Sequence, residues 1–461
     1  MSISTAPVNG CVSFWYAESG LPDQRPGLDG NREADVAVVG AGYTGLWTAY
    51  YLKKARPDLS VVVLESRFAG FGASGRNGGW LTNSITGGRS QYVKSHGRAV
   101  VGRFQELLNE TVDEVIAVAG AEGIDAAVAK GGELNVARNE AQLGRLLAWA
   151  EDEAAWPEAG TRLLDAAETA ERIRVAGALG SVHHPHCARI HPARLVRGLA
   201  AAVERLGVPI YEGTTVTDIR PGRAVTDRGT VSAKYVLRAT EGFTANLRGH
   251  SREWLPMNSS MIATEPLPES VWQQIGWHGR ETVADMAHAY MYAQRTADGR
   301  IALGGRGVPY RFGSRTDTDG ATQPETIASL TALLQDMFPA AAEARIEHAW
   351  AGVLGVPRDW KATVGLDPKT GLGWAGGYVG TGVTATNLAA RTLRDLILEP
   401  GSELTRMPWV NRKVRRWEPE PLRWIAVKAM YAAYYAADRA ERNGRSTTSP
   451  IAKAANLVSG R

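Results

Sequence analysis

Three glycines spaced Gly40-x-Gly42-x-x-Gly45 stand directly after Val36-Ala37-Val38-Val39, within the uncharged run VVGAGYTGLWTAYYL of residues 38–52. A membrane span would need roughly 20 apolar residues, and Lys53 and Lys54 end this run early. The spacing instead suits a strand-to-helix turn under a phosphate. The first glycine permits the sharp turn, the second lets backbone approach a pyrophosphate, and the third lets the helix pack on the strand. Such a unit predicts an acidic residue at the end of a second strand, about 20 residues on, to bind a ribose hydroxyl. Val61-Val62-Val63-Leu64-Glu65 supplies it. The chemistry expected here is dinucleotide binding.

A second glycine-rich loop, GFGASGRNGGW at 70–80, follows the acid, and a third segment, AGGYVGTGVTATNLAARTLRDLI at 375–397, lies near the far end. A nicotinamide dinucleotide has no need of the 70–80 loop, whereas a flavin must be carried past its pyrophosphate. The glycines at 376–382 open a helix whose Val383, Leu388, Leu393 and Leu396 suit one buried face. Its positive end would stand against the anionic edge of a reduced flavin.

These elements must be positioned by a large fold. The chain has 461 residues, 44% hydrophobic and 22% charged, as in ordinary globular proteins. Its 52 basic and 48 acidic side chains are too evenly spread to argue for nucleic acid. Cys11 and Cys187 form no C-x-x-C, so neither a disulfide framework nor a dithiol centre is supported. Residues 1–20 show no secretory signal pattern, and a cytoplasmic setting is expected. Of the three GxGxxG spacings, at 40–45, 70–75 and 371–376, only the first joins a β-rich run to a helical one with an acid 20 residues on, which argues against a separate NAD(P)H domain. No Gly-Asp dipeptide occurs, which argues against an aromatic hydroxylase.

The Gly40–Gly45 fingerprint, Glu65, the 72–79 loop and the 376–382 segment together resemble the FAD-dependent D-amino acid/glycine oxidase (DAO) superfamily, γ-glutamylputrescine oxidase-like branch. ARIHPARLVRGLA (188–200), MIATEPL (261–267), ALGGRG (302–307) and RRWEPEPLRW (415–424) extend the likeness over nearly the whole chain. The resemblance implies an α/β fold, with a Rossmann-like FAD-binding domain interleaved with a mixed β-sheet substrate domain and a C-terminal helix. The FAD-binding parts are expected at 33–90, 188–250 and 345–400. The substrate parts are expected at 91–187 and 251–344, and a helical extension and tail at 401–461.

Non-covalent FAD is expected to contact Gly40, Ala41, Gly42, Tyr43, Thr44, Gly45, Glu65 and Ser66. Further contacts are expected from Gly72, Ala73, Ser74, Arg76, Asn77, Gly78, Gly79 and Trp80, then Val216 and Thr240. At the third segment they are Gly377, Gly380, Thr381, Gly382, Val383 and Thr384. Electrons would come from an amine or amino acid whose hydride passes to flavin N5, leaving an imine that water hydrolyses. O2 would reoxidise the flavin, giving H2O2.

Substrate-side candidates are His288, Tyr290 and Tyr292 on one strand, Arg306 to fork onto a carboxylate, and Trp350. Ala302 falls where sarcosine-type oxidases carry a lysine that assists reaction with O2, which leaves oxidase and dehydrogenase both open. A dehydrogenase passing electrons to a quinone or carrier is the alternative, with 422–438 as an amphipathic surface helix presenting Trp424, Tyr431 and Tyr435. A non-enzymatic flavin-binding subunit is a third reading.

Several local expectations remain. His183, His184, His186, Cys187 and His191 are metal-capable, but Pro185 interrupts them, Pro192 follows them and no paired-ligand spacing repeats, so no metal is expected. Residues 89–120 and 192–206 read as helices, and 131–138, 208–213 and 233–242 as strands. Residues 255–310 are β-rich, and 444–461 read as a loose tail. No internal repeat or transmembrane segment is evident, and an oligomer stays open.

Overall fold

The computed structural model describes residues 6–316 and 319–459. Strand Arg32–Val39 lies between the parallel strands Thr230–Arg238 and Val61–Leu64, as a βαβ unit requires. Its alternate residues face opposite ways. Val36 and Val38 pack under helices Tyr43–Ala55, Pro192–Arg205 and Gly382–Leu398, while Ala37 and Val39 meet Val62, Leu64, Ala224 and Val236 on the other face. Both faces are covered, which is why these strands read as continuous apolar runs. Strands Val216–Arg220, Arg223–Thr226, Ile210–Tyr211, Thr363–Asp367 and Leu372–Gly376 complete this eight-stranded sheet.

A second sheet of nine strands contains Leu255–Thr264, Thr282–Asp285, Tyr292–Arg295, Ile301–Gly305 and Ile346–Val356. Helices Glu269–Ile275 and Pro324–Met337 bury its back through Trp272, Leu330 and Leu334. The chain crosses repeatedly between the two sheets. The boundary expected at 345 falls elsewhere, because Ile346–Val356 pairs along Leu255–Thr264 in the nine-stranded sheet.

Other expectations are corrected locally. The helix over 89–120 breaks at Gly97, at φ 76°, into Ser90–His96 and Arg98–Ala121. The strand over 233–242 stops at Arg238, and Glu241–Asn246 is a 3-10 turn. His288 and Tyr290 are not on a strand with Tyr292: His288 and Ala289 form a turn ahead of it. The tail is not loose, since Pro450–Ser459 is helical and buries Ala452 and Ala455.

Helix Leu422–Arg442 turns Val427, Tyr431, Tyr434 and Ala437 inward against Leu255, Met257 and Tyr310. Its apolar face therefore covers the protein's own core, with Tyr431 3% exposed and Tyr435 40%. No helix among the described residues is long and apolar enough to cross a membrane.

Candidate active site

Two adjoining cavities, of about 450 and 480 Å³, lie where the sheets meet. Both are bordered by Ala73, Asn77, Leu354, Gly380 and Val383. The first follows the carboxyl ends of the parallel strands, where ligands bind in open α/β sheets.

The glycine turn fits a pyrophosphate for reasons visible atom by atom. Gly40 has φ 105°, and a Cβ there would stand 2.6 Å from the Ala239 carbonyl oxygen. A Cβ on Gly45 would stand 1.9 Å from the Gly40 carbonyl, so the helix can approach the strand only without one. A Cβ on Gly42 would meet only Ser74, at 3.0 Å from its Oγ. That glycine lines the first cavity and leaves backbone accessible to a ligand.

Glu65 lines the same cavity. Its Oε2 accepts from Ala41 N–H at 2.9 Å and its Oε1 from Arg67 N–H at 3.0 Å. Burial holds its carboxyl above the usual range. The 70–80 loop is held by its own polar side chains. Ser74 Oγ accepts from Tyr43 N–H, and Asn77 Nδ2 donates to the Ala73 and Ser74 carbonyls.

Of the expected cofactor contacts, Gly40, Gly42, Tyr43, Thr44, Glu65, Ser66, Gly72, Ala73, Ser74, Asn77, Val216, Thr240, Gly380, Gly382 and Val383 line the first cavity. Arg76, Gly78, Trp80 and Thr381 line only the second. Arg76 donates through Nε to the Phe71 carbonyl and lies 4.4 Å from the Phe71 ring, bracing the loop.

Five line neither cavity. Ala41 and Gly45 are packed under the turn, and Gly79 is closed in by Gln294 and the Ile190 carbonyl. Gly377 N–H donates to Glu241, and Thr384 is fully buried, with Thr386 on the wall in its place.

Glu241 escaped sequence reasoning. Its oxygens accept from Gly377 N–H at 2.9 Å and Tyr378 N–H at 3.1 Å, fastening the third glycine segment to the end of the central strand. Burial pushes its carboxyl up to about 7, and its φ of 42° marks a strained turn. The signal available was an acid just past the strand in Ala239-Thr240-Glu241-Gly242.

Arg306, Tyr290 and His288 line the second cavity together with Tyr292, Trp80, Ser259 and Asp285. Arg306 is 7% exposed, and no carboxylate among the described residues pairs with it. Its Nη2 donates to Tyr290 Oη at 3.3 Å. Tyr292 Oη lies 2.8 Å from Ser259 Oγ.

Asp285, also missed, accepts from Met291 N–H, and burial pushes it up to about 6. On the same wall Glu133 pairs with His184 at 3.3 Å. Burial opposes ionisation of Glu133, but His184, Asn135 and Thr82 outweigh it and hold the carboxyl low.

The His288 turn is clamped by the C-terminal helix. Asp438 accepts from the His288 and Ala289 N–H groups, and Glu441 bonds His288 Nε2 at 3.0 Å and Arg145 at 2.8 Å. Trp350 does not reach either cavity. It is fully buried against Phe14 and Trp15, and its Nε1 donates to the Arg76 carbonyl. Ala302 lies in the same apolar cluster, away from both cavities. His183, His184, His186, Cys187 and His191 do not converge: His191 bonds Glu18 at 2.8 Å, and Cys187 Sγ lies 3.3 Å from Thr282 Oγ1.

Known proteins place this geometry. The family model described as DAO, FAD dependent oxidoreductase, matches residues 35–396. The chain is 31% identical to γ-glutamylputrescine oxidoreductase of Escherichia coli, over 87% of this chain and 92% of that protein. It is 25% identical to the sarcosine oxidase β subunit of Rhodobacter capsulatus, over 80% and 87%. Its fold superposes on glycine oxidase from Geobacillus kaustophilus with a TM-score of 0.68 at 21% identity, covering 83% of this chain and all of that one. The cradle at Gly40–Gly45, the acid at 65 and the open wall at Gly380 suit the cofactor of this family, and the chain is an FAD-dependent oxidoreductase of the DAO family.

Proposed function

We propose that this enzyme oxidises a C–N bond in a small amine or amino acid that carries a carboxylate, using non-covalently held FAD. The observation that carries the reading is Arg306: a buried guanidinium with no acidic partner among the described residues, on the wall of the cavity adjoining the nucleotide cleft. A buried cation left unpaired is costly unless a ligand completes it. Arginine suits the two oxygens of a carboxylate.

When bound, FAD accepts two electrons from the carbon beside the nitrogen. The chain's own residues position and exclude. Gly40–Gly45 and Glu65 would hold the pyrophosphate and ribose, and Glu241 keeps the Gly377–Gly380 turn against the flavin end. Gly78 has no room for a side chain beside Tyr292, which fixes how closely the loop borders the substrate. Tyr290 and Tyr292 orient the carboxylate end. His288, held by Glu441, shapes the wall and does not serve as a base. Cys187 lines neither cavity, which supports a non-covalent cofactor.

Asp285 is the last residue of one strand and Arg306 directly follows another, two apart in the ladder and about 10 Å across. A substrate with a carboxylate at one end and a cation at the other would span them. The γ-glutamyl conjugate of a diamine, in the E. coli relative's name, has both. We assign the eight-stranded sheet to the cofactor domain and the nine-stranded sheet to the substrate domain. O2 is the proposed acceptor, in a cytoplasmic setting.

Oxygen uptake with polyamines, γ-glutamyl polyamines, N-methyl amino acids and D-amino acids tests this. Amine-dependent H2O2 formation supports it. Amine-dependent dye reduction without oxygen uptake would instead select a dehydrogenase.

A further inference from the structure

A second buried cation lies outside the two cavities. Arg189 ends strand Cys187–Arg189, is 8% exposed, and its guanidinium has no hydrogen bond or ion pair among the described residues. It lines a third cavity of about 210 Å³. The charges around it do not neutralise it. Arg280 and Arg295 reinforce the positive field; one donates to the Thr296 carbonyl, and the other lies 3.9 Å over Trp272. The two carboxylates on the cavity wall are already engaged: Glu18 by His191 and Arg194, and Asp298 by Arg300 and Thr296. Gln294, 1% exposed on the same wall, donates to the Gly78 and Ile190 carbonyls while its Oε1 has no partner.

We propose that this cavity binds a small oxyanion, a phosphate or carboxylate group. The Arg189 guanidinium takes two of its oxygens through its planar fork. Because Gln294 grips Gly78 and Trp80 pairs in register with Arg189, an occupant is coupled to the loop that borders the active cavity.

The test is thermal melting of the FAD-loaded enzyme in phosphate, acetate or chloride at equal ionic strength. Phosphate or acetate should raise Tm saturably where chloride does not, and the stronger of the two identifies the group. Arg189→Met should weaken that response roughly tenfold or more, whereas Arg306→Met should keep it, excluding the substrate cavity as its source. In chloride, Arg189→Met should melt no lower than wild type, since it removes a charge that none of the described residues pairs. Ala297→Glu, at an exposed wall position, should abolish the response without disturbing the core. No saturable shift, or an equal shift in Arg189→Met and Ala297→Glu, would overturn the proposal. So would a lower Tm for Arg189→Met in chloride.

Discussion

Replacing Gly42 by alanine should separate cofactor binding from folding. Gly42 has φ −81° and ψ −175°, extended backbone that any residue adopts. The new methyl would meet nothing but Ser74, at 3.0 Å from Oγ and 4.0 Å from Cβ. A small rotation of Ser74 relieves this and loosens its bond to Tyr43 N–H. The cost to the apoprotein should stay near 1 kcal/mol, the typical value of a helix-start contact. The same methyl would project into the first cavity, on the proposed approach to the pyrophosphate. Losing one hydrogen bond to a charged group costs about 1.5–3 kcal/mol, so FAD affinity should fall roughly 10- to 150-fold. Gly42→Val should abolish retention. Urea denaturation of the apoprotein gives the first quantity, and fluorescence titration with FAD gives the second. A variant that binds FAD as tightly as wild type while losing several kcal/mol of stability would refute the reasoning.

Gly45→Ala should do the reverse: with its Cβ 1.9 Å from the Gly40 carbonyl and 3.0 Å from Val38 Cγ1, the helix must leave the strand. The apoprotein should lose about 3 kcal/mol or more on urea denaturation. Arg306→Met should cost roughly 2–5 kcal/mol in kcat/KM for a carboxylate-bearing substrate. It should cost much less for the methyl ester, and equal losses would mean that Arg306 does not touch the carboxylate. Asp285 is pushed from 3.8 to about 6, so the folded protein binds its proton more tightly than the unfolded chain. Its contribution is complete below 3.8 and is lost as pH rises through about 6, a swing of roughly 3 kcal/mol. Asp285→Asn should therefore gain stability relative to wild type across that window, and a difference that stays flat with pH would contradict the assignment.

What the sequence made legible was local. The glycine spacing encodes steric exclusions between residues a few positions apart, and Glu65 closes on Ala41 within one βαβ unit. Glu241 was hidden because its partners, Gly377 and Tyr378, come from the other end of the chain. The same applies to the His288–Ala289 turn: an alternating pattern suggested one strand, but Asp438 and Glu441 bend the segment from the C-terminal helix. Trp350 was misread because a strand residue near a cavity can face either way. Here the indole faces Phe14 and Trp15 from the N-terminal helix. Helix Pro450–Ser459 was missed because the segment is short and sits behind the Ser- and Thr-containing stretch 446–449, while the contacts that hold Ala452 and Ala455 come from the preceding helix and the rest of the fold. The boundary at 345 failed because strand Ile346–Val356 is chosen by a partner at 255–264, which periodicity does not record.

The central claim is that a C–N donor reduces the bound flavin directly, with no nicotinamide. Anaerobic mixing of the yellow enzyme with members of the amine panel, followed by absorbance, tests it most directly. One amine should bleach the flavin without NAD(P)H, and its rate should rise with pH as the bound ammonium loses its proton and frees the lone pair that assists hydride loss. Bleaching by NADPH alone, with no response to any amine, would contradict the account.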